Sequence, residues 1–161
     1  TYYDWSTRIV YKHNELGTAG FSVPLFFGAM PVPEDPKQRW RLCETFVGAH
    51  CAFVNSADEQ KRPGWRTRGF VHFNRGISKH SGLDSYDPSV VAPYLERELS
   101  WRMQKEDGTV VPLSELPSLE ITVSSSTVTM AQGADFPTYG DPQYHRKITS
   151  GREGGARDIA A

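Results

Sequence analysis

Five histidines (His13, His50, His72, His80 and His145) and two cysteines (Cys43 and Cys51) are the side chains best suited to hold a metal ion or carry a proton. An imidazole centre built on a helix needs ligands three or four residues apart, the spacing that places them on one face. No two of these histidines have it. Each reads as a surface or hydrogen-bonded histidine, with His72, inside an alternating segment, the one suited to a structural role on a strand. Two cysteines make no disulfide framework, and packed free thiols are the simplest reading, although the sequence leaves their pairing open. Glu96, Glu98 and Asp107 lie in or beside a hairpin region and read as solvated charges rather than an acid/base pair. No Gly-rich phosphate loop opens a helix, and no G-x-S-x-G elbow is present. The inventory offers no catalytic residue, no metal site and no cofactor site.

The elements that must position these residues are short. Trp5 to Lys12 and Phe21 to Phe27 read as strands joined through Gly17-Thr18-Ala19-Gly20. Pro31, Pro33 and Pro36 each remove a backbone donor, which makes Met30 to Gln38 an extended loop. Cys43 to Asn55 is the next strand, Ser56 to Thr67 a polar loop with Pro63-Gly64, and Gly69 to Ile77 a further alternating strand near a sheet edge. Asp87-Pro88 caps a brief helical turn through Ala92. Leu99 to Lys105 and Thr109 to Leu113 form a hairpin about Glu106-Asp107-Gly108. Leu119 to Val123 and Thr127 to Ala131 form another about Ser124-Ser125-Ser126.

Seven or eight short strands at this spacing predict an all-β fold, an antiparallel β-sandwich or barrel with one short helical turn. Strand parity assigns Trp5, Ile9, Phe21, Val23, Leu25, Phe27, Val47, Phe70, Leu99, Trp101, Met103, Val111, Leu119, Ile121, Val123 and Val128 to its interior. One domain over 1–150 is expected, with 151–161, GREGGARDIAA, as a mobile tail.

At 161 residues a domain buries roughly 70% of its unfolded surface, enough for a self-supporting core. The 18 Lys and Arg nearly cancel the 19 Asp and Glu, so neither nucleic acid nor an anionic membrane is the expected partner, and a protein is. No apolar run approaches the roughly 18 residues of a membrane span, and the first residues lack the basic and apolar regions of a signal peptide. A disulfide-poor chain favours the cell interior. The chain begins TYYDW without a Met, as a fragment of a longer precursor would.

Residues 83–128, LDSYDPSVVAPYLERELSWRMQKEDGTVVPLSELPSLEITVSSSTV, join an acid-initiated turn to hairpins in an order that resembles the second half of a fungal tyrosinase (polyphenol oxidase) C-terminal domain. The aromatic first strand, GTAGFSVPLFFGAMPVPEDPKQRW and FVGAHCAFVN resemble its first half. The resemblance implies a non-catalytic domain that covers the entrance of a dicopper site and keeps a tyrosinase or catechol oxidase latent until proteolysis or another trigger releases it. The pair of copper ions would belong to the partner, the tyrosinase catalytic domain of the same precursor, cut but still docked or continuous. This chain's five histidines, spaced as they are, cannot build that centre.

In the resembling family a bulky side chain plugs the substrate slot. Phenylalanine suits this role because it fills an aromatic site and has no hydroxyl to oxidise. The family's plug lies in or just after the strand that follows a Val-Gly pair. Val47-Gly48 therefore points to Phe53, with Trp65 second and Phe46 third. Arg62-Pro63-Gly64-Trp65 occupies the place of the family's Cys-x-x-Cys, so shielding is expected without copper delivery. Lys61, Arg62, Arg66 and Arg68 form a basic loop suited to docking on carboxylates at the active-site mouth and to release by acid, salt or a protease. The competing readings are a carbohydrate-binding β-sandwich module stacking sugars on Trp40 and Trp65, and a stand-alone caddie-type partner.

Overall fold

Two antiparallel sheets carry the chain, seen in a computed structural model that describes residues 1–12, 20–29, 43–52, 66–105 and 109–157. The strands are β1 (Tyr2–Lys12), β2 (Phe21–Phe27), β3 (Phe46–Ala52), β4 (Arg66–His72), β5 (Leu99–Trp101), β6 (Met103–Lys105), β7 (Val110–Val111), β8 (Glu120–Thr129), β9 (Thr138–Tyr139) and β10 (Gln143–Tyr144). Helices α1 (Asn74–His80) and α2 (Pro88–Glu98) lie between β4 and β5. One sheet runs β10-β8-β1-β4, with β9 also on β8; the other runs β3-β2-β6-β7, with β5 also on β2. The expected all-β sandwich is the fold.

The core lies between the sheets. Trp5, Ile9, Ile121 and Val123 meet Val23, Leu25, Trp101 and Met103, and the helices add Ile77, Val91 and Leu95. These strands form because apolar residues alternate along β1 and β8, so that one register buries a whole face. β2 departs from strict alternation, with Pro24 and Phe26 buried as well as Phe21, Val23, Leu25 and Phe27. Pro24 has no N–H to give to a ladder. Opposite it, the segment expected as one strand over Leu99 to Lys105 divides into β5 and β6 at Arg102, whose N–H reaches the Pro24 carbonyl at 3.3 Å.

Three further expectations require correction. Ser124-Ser125-Ser126 is no turn but the middle of the continuous strand β8, paired with Ser6, Trp5 and Asp4 of β1. Two of the serine hydroxyls find partners without a turn, Ser124 with Ser6 Oγ at 3.3 Å and Ser125 with His145 Nε2 at 2.7 Å. The strand expected over Gly69 to Ile77 begins earlier, at Arg66, and ends at His72. Asn74 stops the ladder there: its Oδ1 accepts from Trp5 N–H at 2.6 Å and its Nδ2 donates to the Tyr3 carbonyl at 2.9 Å. Its α1 then buries Ile77. With this register Thr67, Gly69 and Val71 face inward, and Phe70, assigned to the core by parity, is 63% exposed.

The third correction is α2. Asp87 caps it as expected, accepting from Ser89 N–H at 2.9 Å, with Pro88 in the first turn. The helix continues past Ala92 to Glu98 in spite of Pro93. Val91, Tyr94 and Leu95 share the i, i+3, i+4 face that reaches the core, and their burial outweighs the lost hydrogen bond.

The boundary expected at 150 coincides with no loss of packing. Ile121 N–H donates to the Gly154 carbonyl at 2.8 Å, Gly155 pairs with Ile121, and Ala156 is buried. Arg152 lies 4.1 Å from the Trp101 ring centroid and donates to the Leu99 carbonyl at 2.6 Å.

Candidate functional site

Segment 53–65 joins β3, an edge of one sheet, to β4, an edge of the other. Phe53, Lys61, Arg62 and Trp65 fall within it and lie outside the described residues, as does Trp40. The two strand ends that hold the segment are described, and their chemistry is specific.

At the base, three strands meet through side chains. Tyr11 on β1 and Thr67 on β4 are partners in register and face inward. His50 on β3 brings Nε2 to 2.9 Å from the Tyr11 phenol, with the rings tilted 58° at 5.6 Å between centroids. Burial pushes the Tyr11 pKa up to about 12, while a hydrogen bond from the Thr67 hydroxyl pulls the other way. Burial pushes His50 below the ordinary histidine value. A neutral imidazole accepting from a protonated phenol follows from those two directions.

Glycines permit the approach. A Cβ on Gly69 would stand 2.2 Å from His50 Nδ1, and one on Gly48 would stand 2.4 Å from Val71 Cγ1. The edge strands of the two sheets thus pack by setting His50 and Val71 side chains directly against glycines of the opposite strand, and the ends of segment 53–65 leave from this corner.

On the outer face of the same corner, β4 turns Arg66, Arg68, Phe70 and His72 to solvent. Of the expected docking residues, Arg66 and Arg68 are therefore strand residues and not part of a loop. His72 is exposed and carries no strand-facing structural role. That role falls to His50 and to His145, which stacks on Trp5 at 4.7 Å and bonds Ser125. Phe46 packs edge-on against Phe26 at 6.1 Å, at the far end of β3 from the segment. The sequence signal for the inner cluster was the position of Tyr11 and His50 on alternating strands; their meeting depends on a sheet-to-sheet contact that spacing does not reveal.

Both cysteines are free. Cys51 Sγ is 3.5 Å from Ser22 Oγ, and Cys43 Sγ is 3.2 Å from Thr45 Oγ1. Among the described residues no three His, Cys, Asp or Glu side chains converge as metal ligands. Among them also, no helix is long and apolar enough to cross a membrane.

Residues 4–123 match the family described as the tyrosinase C-terminal domain. Among solved structures, recombinant mushroom tyrosinase (abPPO4) is similar with a TM-score of 0.65 and 25% identity, over 89% of this chain and 24% of that one. A structure of latent and active mushroom tyrosinase (abPPO4) gives 0.64 and 24%, over 89% and 25%. The apo-protyrosinase melB from Aspergillus oryzae shares the fold at 0.50 and 15%, over 88% and 21%. The chain thus spans about a quarter of the length of the mushroom tyrosinases it matches. No curated protein matches in sequence.

Proposed function

The chain belongs to the tyrosinase C-terminal domain family, and on that premise we propose that it is a non-catalytic shield that covers the dicopper site of a tyrosinase or catechol oxidase and keeps that enzyme latent. The family match over residues 4–123 carries this reading. The similarity to about a quarter of a mushroom tyrosinase supports it, because the remaining three quarters of that protein leave room for the oxidase itself.

The shield needs a rigid mount and a projecting apolar plug. The mount is the β3–β4 corner, where Gly48 and Gly69 let the two sheets lock and Tyr11, His50 and Thr67 join them. The plug is Phe53, one residue beyond the end of β3, and Trp65, one residue before β4, is the alternative. A plug fixed at both strand ends loses less conformational entropy on insertion than one on a free tail. Copper, held by the partner, supplies the oxidation; this chain's contribution is to occupy the phenol slot and exclude substrate. Lys61, Arg62, Arg66 and Arg68 dock on the mouth of that site.

Intact mass spectrometry with copper analysis of native material, before and after denaturing separation, tests the reading. A co-purifying His-rich, copper-bearing polypeptide and loss of latency in Phe53→Gly are expected. A lone copper-free 18.1 kDa species would sink the reading and favour a free-standing binding module.

A further inference from the structure

β4 forms an edge of its sheet, pairing among the described strands with β1 alone. Its outward residues are Arg66, Arg68, Phe70 and His72, and β1 places Lys12 directly beside Arg66 and Arg8 directly beside Phe70. No carboxylate stands in these paired rows from Ser6 to Lys12 and from Arg66 to His72. Like charges directly opposite on neighbouring strands destabilise a sheet, and Lys12 and Arg66 are both exposed. Basic residues on an edge do discourage strand-to-strand aggregation. A 63% exposed phenylalanine among them does the reverse, so edge protection does not explain the pattern.

An aromatic anchor ringed by arginines is the composition of a protein-binding hot spot, in which the ring fills a pocket and the cations meet acids around it. We infer that the outer face of β4, centred on Phe70 with Arg66, Arg68 and Lys12, is a docking surface for an acidic, pocketed face of the partner oxidase domain, separate from the plug. This inference rests on the shielding reading. The occupant follows from continuity and charge: β4 is the direct continuation of segment 53–65, so a partner that receives a plug from that segment would be a neighbour of this strand, and the face it would meet is cationic. Docking here would hold the shield in place while the plug alone blocks substrate. Phe70→Ser should therefore weaken attachment, whereas Phe53→Gly should abolish latency with attachment kept.

The test uses the whole precursor, its connection cut by a protease, with dissociation followed on dilution by size-exclusion chromatography and by the appearance of phenol oxidase activity. Phe70→Ser and the double charge reversal Arg66→Glu, Arg68→Glu are each expected to raise the dissociation constant at least about tenfold. The charge reversal should also flatten the salt dependence. Melting temperatures matching wild type would certify the fold, as expected for exposed positions. Wild-type halves that associate while both variants stay within about twofold of them would overturn this surface and leave the shield reading intact. Wild-type halves that never associate would overturn both. Variants that dissolve a dimer of the precursor but leave the halves docked would assign the face to a second copy and overturn the proposal.

Discussion

The phenol of Tyr11 and Nε2 of His50 stand 2.9 Å apart and tie the two sheets together at the corner from which segment 53–65 departs. The contact exists because residue 69 is glycine. Gly69→Ala would put a methyl 2.2 Å from His50 Nδ1, against a ring already held by Tyr11 and so unable to swing aside freely. The expected loss is about 1–3 kcal/mol, read as a lower midpoint in urea unfolding. Gly82→Ala, where a Cβ meets nothing within 4 Å but the backbone φ is +68°, gives the comparison for backbone strain without a clash. A Gly69→Ala protein that unfolds at the wild-type midpoint would show that the sheets do not meet here.

Acid should weaken the same corner. Burial lowers the pKa of His50, and also of His145 and His80, whereas in the unfolded chain each returns to about 6.5. Between those values the unfolded state binds more protons, so stability falls as pH drops below about 6.5 and levels off beneath the folded values. His50→Gln keeps a side-chain acceptor near Tyr11 but cannot titrate, and should reduce the difference in melting temperature between about pH 7.5 and pH 5. An unchanged difference would remove His50 from the acid response.

How far the sequence could be read depends on where each decision was made. The parity of Trp5 and Ile9 and the cap at Asp87 are local and led directly to β1 and to the start of α2, though not to its continuation past Ala92. Motifs at residues 17–40, 46–55 and 83–128 pointed to the family, whose model matches residues 4–123. The failures are non-local. Ser124–Ser126 carried a turn signal, yet hydroxyl partners on Ser6 and His145 keep the strand straight. Phe70 and Phe73 were both candidates for one alternating strand, and only pairing with β1, closed by Phe73 N–H on the Trp5 carbonyl at 2.8 Å, decides which of them is buried. Arg66 and Arg68 were legible as charges; their place on a strand facing the same way as Phe70 was not.

Trp101 couples the core to the last described residues. Its ring is 4% exposed, Nε1 donates to the Glu153 carbonyl at 3.1 Å, and the Arg152 guanidinium covers the ring at 4.1 Å. Trp101→Ala should cost about 3–5 kcal/mol from the cavity and lost transfer energy. It should also raise hydrogen exchange at Ile121 N–H, which bonds the Gly154 carbonyl. Trp101→Phe keeps most of the volume and removes the donor, so it should cost less. Equal losses in the two variants would mean that the hydrogen bond, not the packing, holds this corner.

Removal of residues 151–161 should destabilise the domain, although composition marks them as dispensable. Thr149 is fully buried, its hydroxyl donating to the Ile121 carbonyl at 2.7 Å and accepting from Ala156 N–H at 2.9 Å. Arg157 closes the segment over Glu120, with 3.8 Å between the charged groups, and bonds the Pro117 carbonyl. A chain ending at Ser150 opens Leu119 and Trp101 to water, because Gly154 lies against both. One ending at Arg157 keeps every one of these contacts. Thermal melts of the two truncations should separate clearly, with the second close to the full chain. Thr149→Val, similar in shape but unable to bridge Ile121 and Ala156, should fall between them, since leaving one buried amide without its partner costs about 1–3 kcal/mol. Coincident melts for both truncations would mean that these contacts add nothing to the fold, and the boundary at 150 would stand.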